Sequence, residues 1–400
     1  MHILYVYQYY NNPDCPATAR HYAYLRELTQ RHSITLITSR TYFDARITHD
    51  FDWTPEQVDL RLLDVPYANE MTARERLRAY TTFALKALAL GATGRRPDLV
   101  FGTSSPLTAA WAARRIARLR RVPWVFEVRD LWPDFPIQMG AMNKPWLQRR
   151  LYRLEHALYR DAAHVVTLSP DMETHVRQRG IAPNRVTTLI HGSDFDLIDA
   201  CQPEALQALR AEHGLIDKGV VLYGGAFGRA NDIPTLLDAA ARLAHRDDLR
   251  FVFAGYGYFE TALRRAAAQS ANVVVLPPQP RHRMLCWFRL ADLSLVSFID
   301  KPVLAANSPA KFFDSLSAGT PVLVTNPGWT SRFVDEHECG WHTPPSDAAA
   351  LAERIAWIFD HPEARASAER NAWTVARACF DRTSLVHRLE QIFEQAASRA

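Results

Sequence analysis

The sequence predicts an α/β protein built from two tandem doubly wound domains. Three observations carry this. Short apolar runs alternate with helical stretches, the alternation restarts near Gly219, and glycines, prolines and charged residues gather just after the runs. In order, the first half reads ILYVYQY, a helix over Thr18–Arg31, ITLITS, DLVFGTS, a helix over Pro106–Leu119, PWVFEV, HVVTLS, a helix over Pro170–Arg179 and VTTLIHG. The second reads VVLYGGA, a helix over Ile233–Ala244, RFVFAG, a helix from Phe259, NVVVLP, a helix over Met284–Leu290, DLSLVSF and PVLVTN. Helices over Ala349–Asp360 and Ser384–Ala397 follow from apolar positions at helical spacing, such as Leu385, Leu389, Ile392 and Phe393. The join falls near Asp194–His213. This gives domains over 1–195 and 196–385, with a closing helix over 386–400.

One helix announces its own ends. In NSPAKFFDSLSAGTPVLV, Ser308 is a good N-cap, Pro309 suits the first helical position, Gly319 suits the left-handed cap, and Pro321 forbids continuation. Lys311 then lies in the first turn, where a cation opposes the helix dipole unless an anion is present. Backbone amides plus a lysine make a phosphate site. Asp314, three residues on, shares that face and would accept from sugar hydroxyls, the plain alternative being an ion pair with Lys311 on a surface helix.

Ligands of open α/β sheets bind outside the carboxyl ends of the strands. There the second half offers Gly224-Gly225-Ala226-Phe227-Gly228-Arg229, with Arg229 a second phosphate cation. Gly255-Tyr256-Gly257-Tyr258 and Pro277-Pro278-Gln279-Pro280 follow the next two runs, the latter an edge suited to a planar base. The first half offers Arg129-Asp130-Leu131-Trp132-Pro133-Asp134. Two sets of strand ends facing across a cleft would gather these turns into one ligand site.

Composition narrows the function. The chain has 400 residues, 48% of them hydrophobic, and no apolar run near the roughly twenty residues that span a bilayer. It opens directly as a strand, so a cytoplasmic protein is expected. Cys15, Cys201, Cys286, Cys339 and Cys379 show no pairing or metal-ligand spacing and are expected as thiols. Residues 1–200 carry 26 Lys and Arg against 21 Asp and Glu, and residues 201–400 carry 21 against 22. The basic excess sits in AAWAARRIARLRRVPW and NKPWLQRRLYRLEHALYR, where arginine interleaved with Trp, Leu and Tyr suits an anionic membrane surface. Nucleic acid fits less well.

The ordered set EVRDLWPD (127–134), EHALYRDAAHVVTLS (155–169), HGSD (191–194), the 224–229 loop and SPAKFFDSLSAGTP (308–321) resembles the retaining, two-domain GT-B glycosyltransferases often called family 4. The forms RDLWP and SPAKFFDSLSAG resemble its branch acting in bacterial O-antigen, capsule and exopolysaccharide synthesis, including N-acetylfucosamine-type transferases. The resemblance implies two Rossmann-like domains, a UDP-sugar donor as co-substrate, no other cofactor and no metal. It also implies a polysaccharide or lipid-linked acceptor and, with the basic helices, a peripheral site on the inner membrane.

Donor contacts are expected from Gly225, Gly228, Arg229, Gly255, Gln279, Asn307, Ser308, Lys311 and Asp314. Acceptor contacts are expected from Thr18, Arg20 and Asp134, and catalytic roles from Arg129, Asp130, Lys311 and Arg229. Departures from the family are also visible. The second of two glutamates eight apart is Asp314 and the first is Ala306; Arg129 stands where a histidine is common. A UDP-sugar 2-epimerase and a non-catalytic binding protein are the alternatives.

Overall fold

A computed structural model of the chain describes residues 1–10, 19–39, 54–67 and 71–398. It divides into two compact units, residues 1–190 with 382–400, and residues 191–381. The boundary thus lies five residues before the expected one. The closing helix begins at Arg382 and belongs to the first unit, where the sequence suggested a separate tail.

The first unit is a parallel sheet in the order β3-β2-β1-β4-β5-β6-β7. Its strands are β1 His2–Val6, β2 Ser33–Ser39, β3 Val58–Leu63, β4 Leu99–Thr103, β5 Trp124–Val128, β6 His164–Thr167 and β7 Val186–Thr188. Its helices are α1 Ala19–Leu28, α2 Ala73–Gly91, α3 Leu107–Arg120, α4 Asp134–Gln138, α5 Pro145–Asp161 and α6 Pro170–Gln178, closed by α17 Arg382–Ser398. The centre of the sheet is buried on both faces, which is why β1, β4 and β5 read as continuous apolar runs. Val386, Leu389 and Phe393 of α17 complete its core, and the Phe393 ring meets Phe101 of β4 at 4.9 Å.

The second unit repeats the plan in the order β10-β9-β8-β11-β12-β13. Its strands are β8 Gly219–Gly224, β9 Leu249–Ala254, β10 Val273–Leu276, β11 Leu293–Val296, β12 Val322–Val324 and β13 Gly340–His342. Around them lie α7 Phe195–Asp199, α8 Pro203–Glu212, α9 Ile233–Arg242, α10 Glu260–Gln269, α11 Arg281–Leu290, α12 Pro302–Ala305, α13 Ala310–Ser317, α14 Trp329–His337, α15 Ala348–Asp360 and α16 Pro362–Cys379.

Several elements escaped the sequence reading, among them β3, α2, α8, α14, β13 and α16. Strand β3 sits at the sheet edge with alternating exposure, and α2 opens on a capping box. There the Thr72 amide donates to Glu75 at 2.8 Å and the Glu75 amide to the Thr72 hydroxyl at 3.4 Å. The T-x-x-E spacing was the available signal. The cysteine expectation also needs correction: Cys201 and Cys286 form a disulfide across 85 residues of sequence, a separation that local spacing cannot reveal. Their Cα atoms lie 5.5 Å apart, joining the segment after α7 to α11. Among the described residues, no helix is long and apolar enough to cross a membrane.

Candidate functional site

The site grows from the loop after β8. Gly225 adopts φ +135°, and its amide donates to the Ala254 carbonyl at 2.9 Å. Gly255, at φ +154°, lies so close that a Cβ there would be 1.9 Å from the Gly225 carbonyl oxygen. The Phe227 amide donates to the Tyr256 carbonyl at 2.7 Å, so the loops after β8 and β9 fix each other. Gly255 is required by close approach of backbone and by its positive φ, and Gly225 by its positive φ.

Helix α13 supplies the cation. It starts one residue later than expected, with Pro309 as N-cap and no side-chain cap. Ser308 is therefore not the capping residue; its hydroxyl is buried without a partner, as is the Asn307 side-chain oxygen. Gly319 does take the left-handed conformation, at φ +80°. The opposite face of α13 packs into an aromatic cluster. Phe313 meets Phe380 at 4.9 Å, Phe312 meets Trp329 at 5.2 Å, and the Trp329 indole donates to the Asn307 carbonyl at 2.7 Å.

Lys311 is half-buried, with its ammonium 3.8 Å from the centre of the Tyr223 ring. A Cβ on Gly225 would sit 3.3 Å from the lysine Cε and 3.4 Å from Nζ, so the glycine leaves the lysine its place. Burial lowers the ammonium pKa to about 7. The ring quadrupole attracts a cation but carries no net charge, and no carboxylate among the described residues pairs with this one. On the same glycine loop, Arg229 is exposed and stacks 4.0 Å from the ring centre of Tyr258. Gln279 sits at the half-buried edge after β10 and donates to the Pro277 carbonyl at 2.9 Å. Gly228 opens the turn that carries Arg229.

Asp314 goes elsewhere. It neither pairs with Lys311 nor lies open as a ligand contact. It is 4% exposed and accepts from Arg281 twice, at 2.9 and 2.8 Å, and from the Ser193 hydroxyl at 2.8 Å. The third edge of Arg281 donates to Asp194 at 2.8 Å. In place of the expected sugar-hydroxyl contact Asp314 has these internal partners, because the Arg281 guanidinium and the Ser193 hydroxyl already engage both of its oxygens. Sequence reading missed Arg281 and Tyr223. The first opens α11 directly after the proline turn and the second closes the β8 run, both at the edge where ligands bind.

In the first unit two candidates, Arg20 and Asp134, are engaged by the protein's own groups. Arg20 is buried, not open to an acceptor. It donates to Glu127 at 3.3 Å, to the Leu189 carbonyl at 2.9 Å and to the Ile190 carbonyl. Asp134 accepts from Tyr152 at 2.5 Å beside His175, Arg179 and the buried Glu155, tying α4, α5 and α6 together. Thr18 lies outside the described residues.

Arg129 and Asp130 bond to separate partners: Asp130 accepts from Ser105 at 2.5 Å, and Arg129 donates to the Tyr7 hydroxyl at 2.6 Å. Burial opposes the Arg129 charge, but Tyr7, Glu127 and Asp130 outweigh it and hold the guanidinium above its ordinary range. Its Nε has no acceptor.

Among the described residues, two groups of carboxylates and histidines have metal-like spacing, Asp134, Glu155 and His175, and His32, Glu390 and Glu394. An arginine already pairs with carboxylates beside each, Arg179 with Asp134 and Glu155, and Arg31 with Glu390.

Comparison with known proteins agrees with this layout. Residues 17–192 match the glycosyl transferase 4-like domain, and residues 207–374 match the glycosyl transferases group 1. The probable glycosyltransferase WbjE of Pseudomonas aeruginosa is 25% identical over 298 residues, covering 72% of each chain. The putative colanic acid biosynthesis glycosyl transferase WcaI of Escherichia coli K12 is 26% identical, covering 59% of each. Among solved structures, Anabaena HepE in complex with UDP-glucose superposes with a TM-score of 0.72 at 18% identity over the whole of both chains. Sucrose-phosphate synthase from Thermosynechococcus elongatus gives 0.75 at 16%, again over both whole chains. With two parallel-sheet units in tandem and both domain descriptions matched in order, the chain belongs to the group 1 glycosyl transferases and is a two-domain enzyme of the GT-B fold.

Proposed function

We propose that this glycosyltransferase takes a UDP-linked sugar as donor, with Lys311 and Arg229 on the diphosphate. The observation that carries this is the half-buried Lys311 ammonium, held over Tyr223 beside a glycine loop with no carboxylate among the described residues to balance it. A buried cation without a counter-charge is unfavourable, and a diphosphate supplies that charge. The orphaned Asn307 oxygen and Ser308 hydroxyl are further polar groups awaiting a partner, suited to a sugar. HepE, of the same fold, was solved with UDP-glucose, which supports the choice of nucleotide.

The reaction is transfer with retention and without a metal. The bond from the anomeric carbon to the diphosphate oxygen breaks through an oxocarbenium-like state, and the acceptor oxygen bonds to the same face. Negative charge grows on the leaving diphosphate, where Lys311, Arg229 and the first-turn amides of α13 stabilise it. The acceptor hydroxyl proton passes to a leaving phosphate oxygen. Arg129, with its free Nε, and Asp130 serve the acceptor side.

The acceptor is a lipid-linked glycan at a membrane surface, with the chain docked from the cytoplasmic side. Support comes from α5, where Trp146 is 50% exposed, with Arg150 over its ring at 5.4 Å and Arg149 and Arg153 exposed nearby. Helix α3 contributes less, because its Arg114 and Arg118 are taken by Asp161. Thermal unfolding with UDP- and GDP-sugars, with and without anionic vesicles, tests the reading. A UDP-sugar raises the midpoint and vesicle binding weakens with salt. No shift with any nucleotide sugar overturns the donor assignment, and no salt-sensitive vesicle binding overturns the membrane one.

A further inference from the structure

The N-terminal edge of the first sheet carries polar groups that the transfer reaction does not use. There the end of α3, the turn into β5 and the residue before β6 enclose a cavity of about 330 Å³, with Arg118, Arg121, Trp124 and Asp161 among its lining residues. That is room for a small molecule. Trp124 opens β5, so Arg129 and Asp130 lie beyond the other end of the same strand, roughly 16 Å away. We propose that this cavity is a second binding site, for a phosphate monoester attached to an apolar body.

Trp124 supplies a donor. It is 3% exposed, and its indole Nε1 is buried with no acceptor among the described residues. A Cβ on Gly102 of β4 would lie 3.7 and 3.8 Å from Cζ3 and Cε3 of the ring, so the benzene edge is turned toward β4 and the edge that carries Nε1 toward the opposite side. Gly102 pairs with Phe126, two residues further along β5, which makes that opposite side the N-terminal edge where the cavity lies. An enclosed N–H that donates to nothing is costly, and a ligand oxygen removes the cost.

The surrounding charge selects the ligand. Asp161 is the single carboxylate among the lining residues, and three arginines converge on it: Arg114 at 2.5 Å, Arg118, and Arg160 at 3.3 Å. The buried Arg114 already balances it. The Arg118 side chain is 53% exposed, and Arg121 is exposed with no side-chain partner among the described residues. Two guanidinium groups are thus in excess at the cavity, which matches a doubly charged phosphate better than a carboxylate, and the guanidinium fork fits phosphate oxygens in pairs. Ala117, Val122, Pro123 and the Trp124 ring line the remainder and favour an apolar body beside the charge. A soluble aryl or alkyl phosphate and the phosphate of a membrane lipid share this chemistry.

Calorimetric titration of the full Lys311→Ala chain with phenyl phosphate tests this, because that background removes the cation assigned to the donor diphosphate. One equivalent is expected to bind, about tenfold or more tighter than inorganic phosphate, which lacks the apolar body. Arg121→Ala, at an exposed side chain, should leave the unfolding midpoint in place and weaken phenyl phosphate by about tenfold. Trp124→Phe, which keeps an aromatic ring and removes the N–H, should weaken it by about fivefold. No binding of phenyl phosphate, or binding that either substitution leaves unchanged in a folded chain, overturns the proposal and leaves the donor assignment standing. Vesicles of phosphatidylcholine with phosphatidic acid decide the source: displacement of bound phenyl phosphate identifies a membrane lipid, and its retention identifies a soluble ester.

Discussion

Lys311 and Arg281 are two enclosed cations against the same short helix, and they have opposite surroundings. Arg281 meets two carboxylates, and although burial works against its charge, Asp314 and Asp194 outweigh burial and hold it above the ordinary range. Lys311 meets an aromatic ring and an orphan-lined helix start, and burial alone acts on it. The first is a closed electrostatic unit that builds the domain. The second is an open one, completed only by an anion from outside. Function is read from the charge that the fold leaves unbalanced, not from the charge that is most buried.

Breaking the closed member should do the most damage. Arg281→Ala leaves two carboxylates facing each other without their cation and is expected to cost about 3–5 kcal/mol in urea unfolding. A loss below about 1 kcal/mol would mean the cluster is not closed as described. Breaking the open member should spare the fold. Lys311→Ala is expected to lower kcat by about 10²–10³-fold while the unfolding midpoint stays level or rises, because a lone enclosed charge is removed.

Proton coupling gives a milder test of the same contrast. The free Lys311 loses its proton near pH 7, whereas the unfolded chain holds it to about 10.4. Its penalty on folding is therefore absent above that upper value and complete as pH falls through about 7. A bound diphosphate restores the proton. Affinity for UDP should then be level below pH 7 and fall by up to about tenfold per unit above it, with proton uptake at pH 8 visible as buffer-dependent heat. The smallest effect belongs to Arg229, exposed on Tyr258: Arg229→Ala should raise KM for the donor by roughly two- to fivefold with little change in folding.

Much of the architecture was legible because a buried parallel strand has to be apolar and its turns have to be glycine, proline or charged. Tyr223 and Gly225 could be placed at a strand end on that basis, and Gly319 at a helix end. The reading faltered where the deciding partner is remote in sequence. Asp314 looks like a neighbour of Lys311 until Arg281, on another helix, claims it. Arg20 looks available until Glu127 of β5 and the carbonyls after β7 enclose it. Cys201 and Cys286 are 85 residues apart and meet only in the fold. Local chemistry gives the elements; the occupancy of each charged group depends on long-range packing.

Helix α17 has a consequence for the order of events in the cell. The unit formed by residues 1–190 needs Leu389 and Phe393 to close its core, with Phe393 seated on Phe101. During synthesis those side chains emerge only after residues 191–381, a compact unit in itself, have left the ribosome. The half of the chain made first is completed last, and until then its apolar sheet face is an exposed surface in need of protection from aggregation.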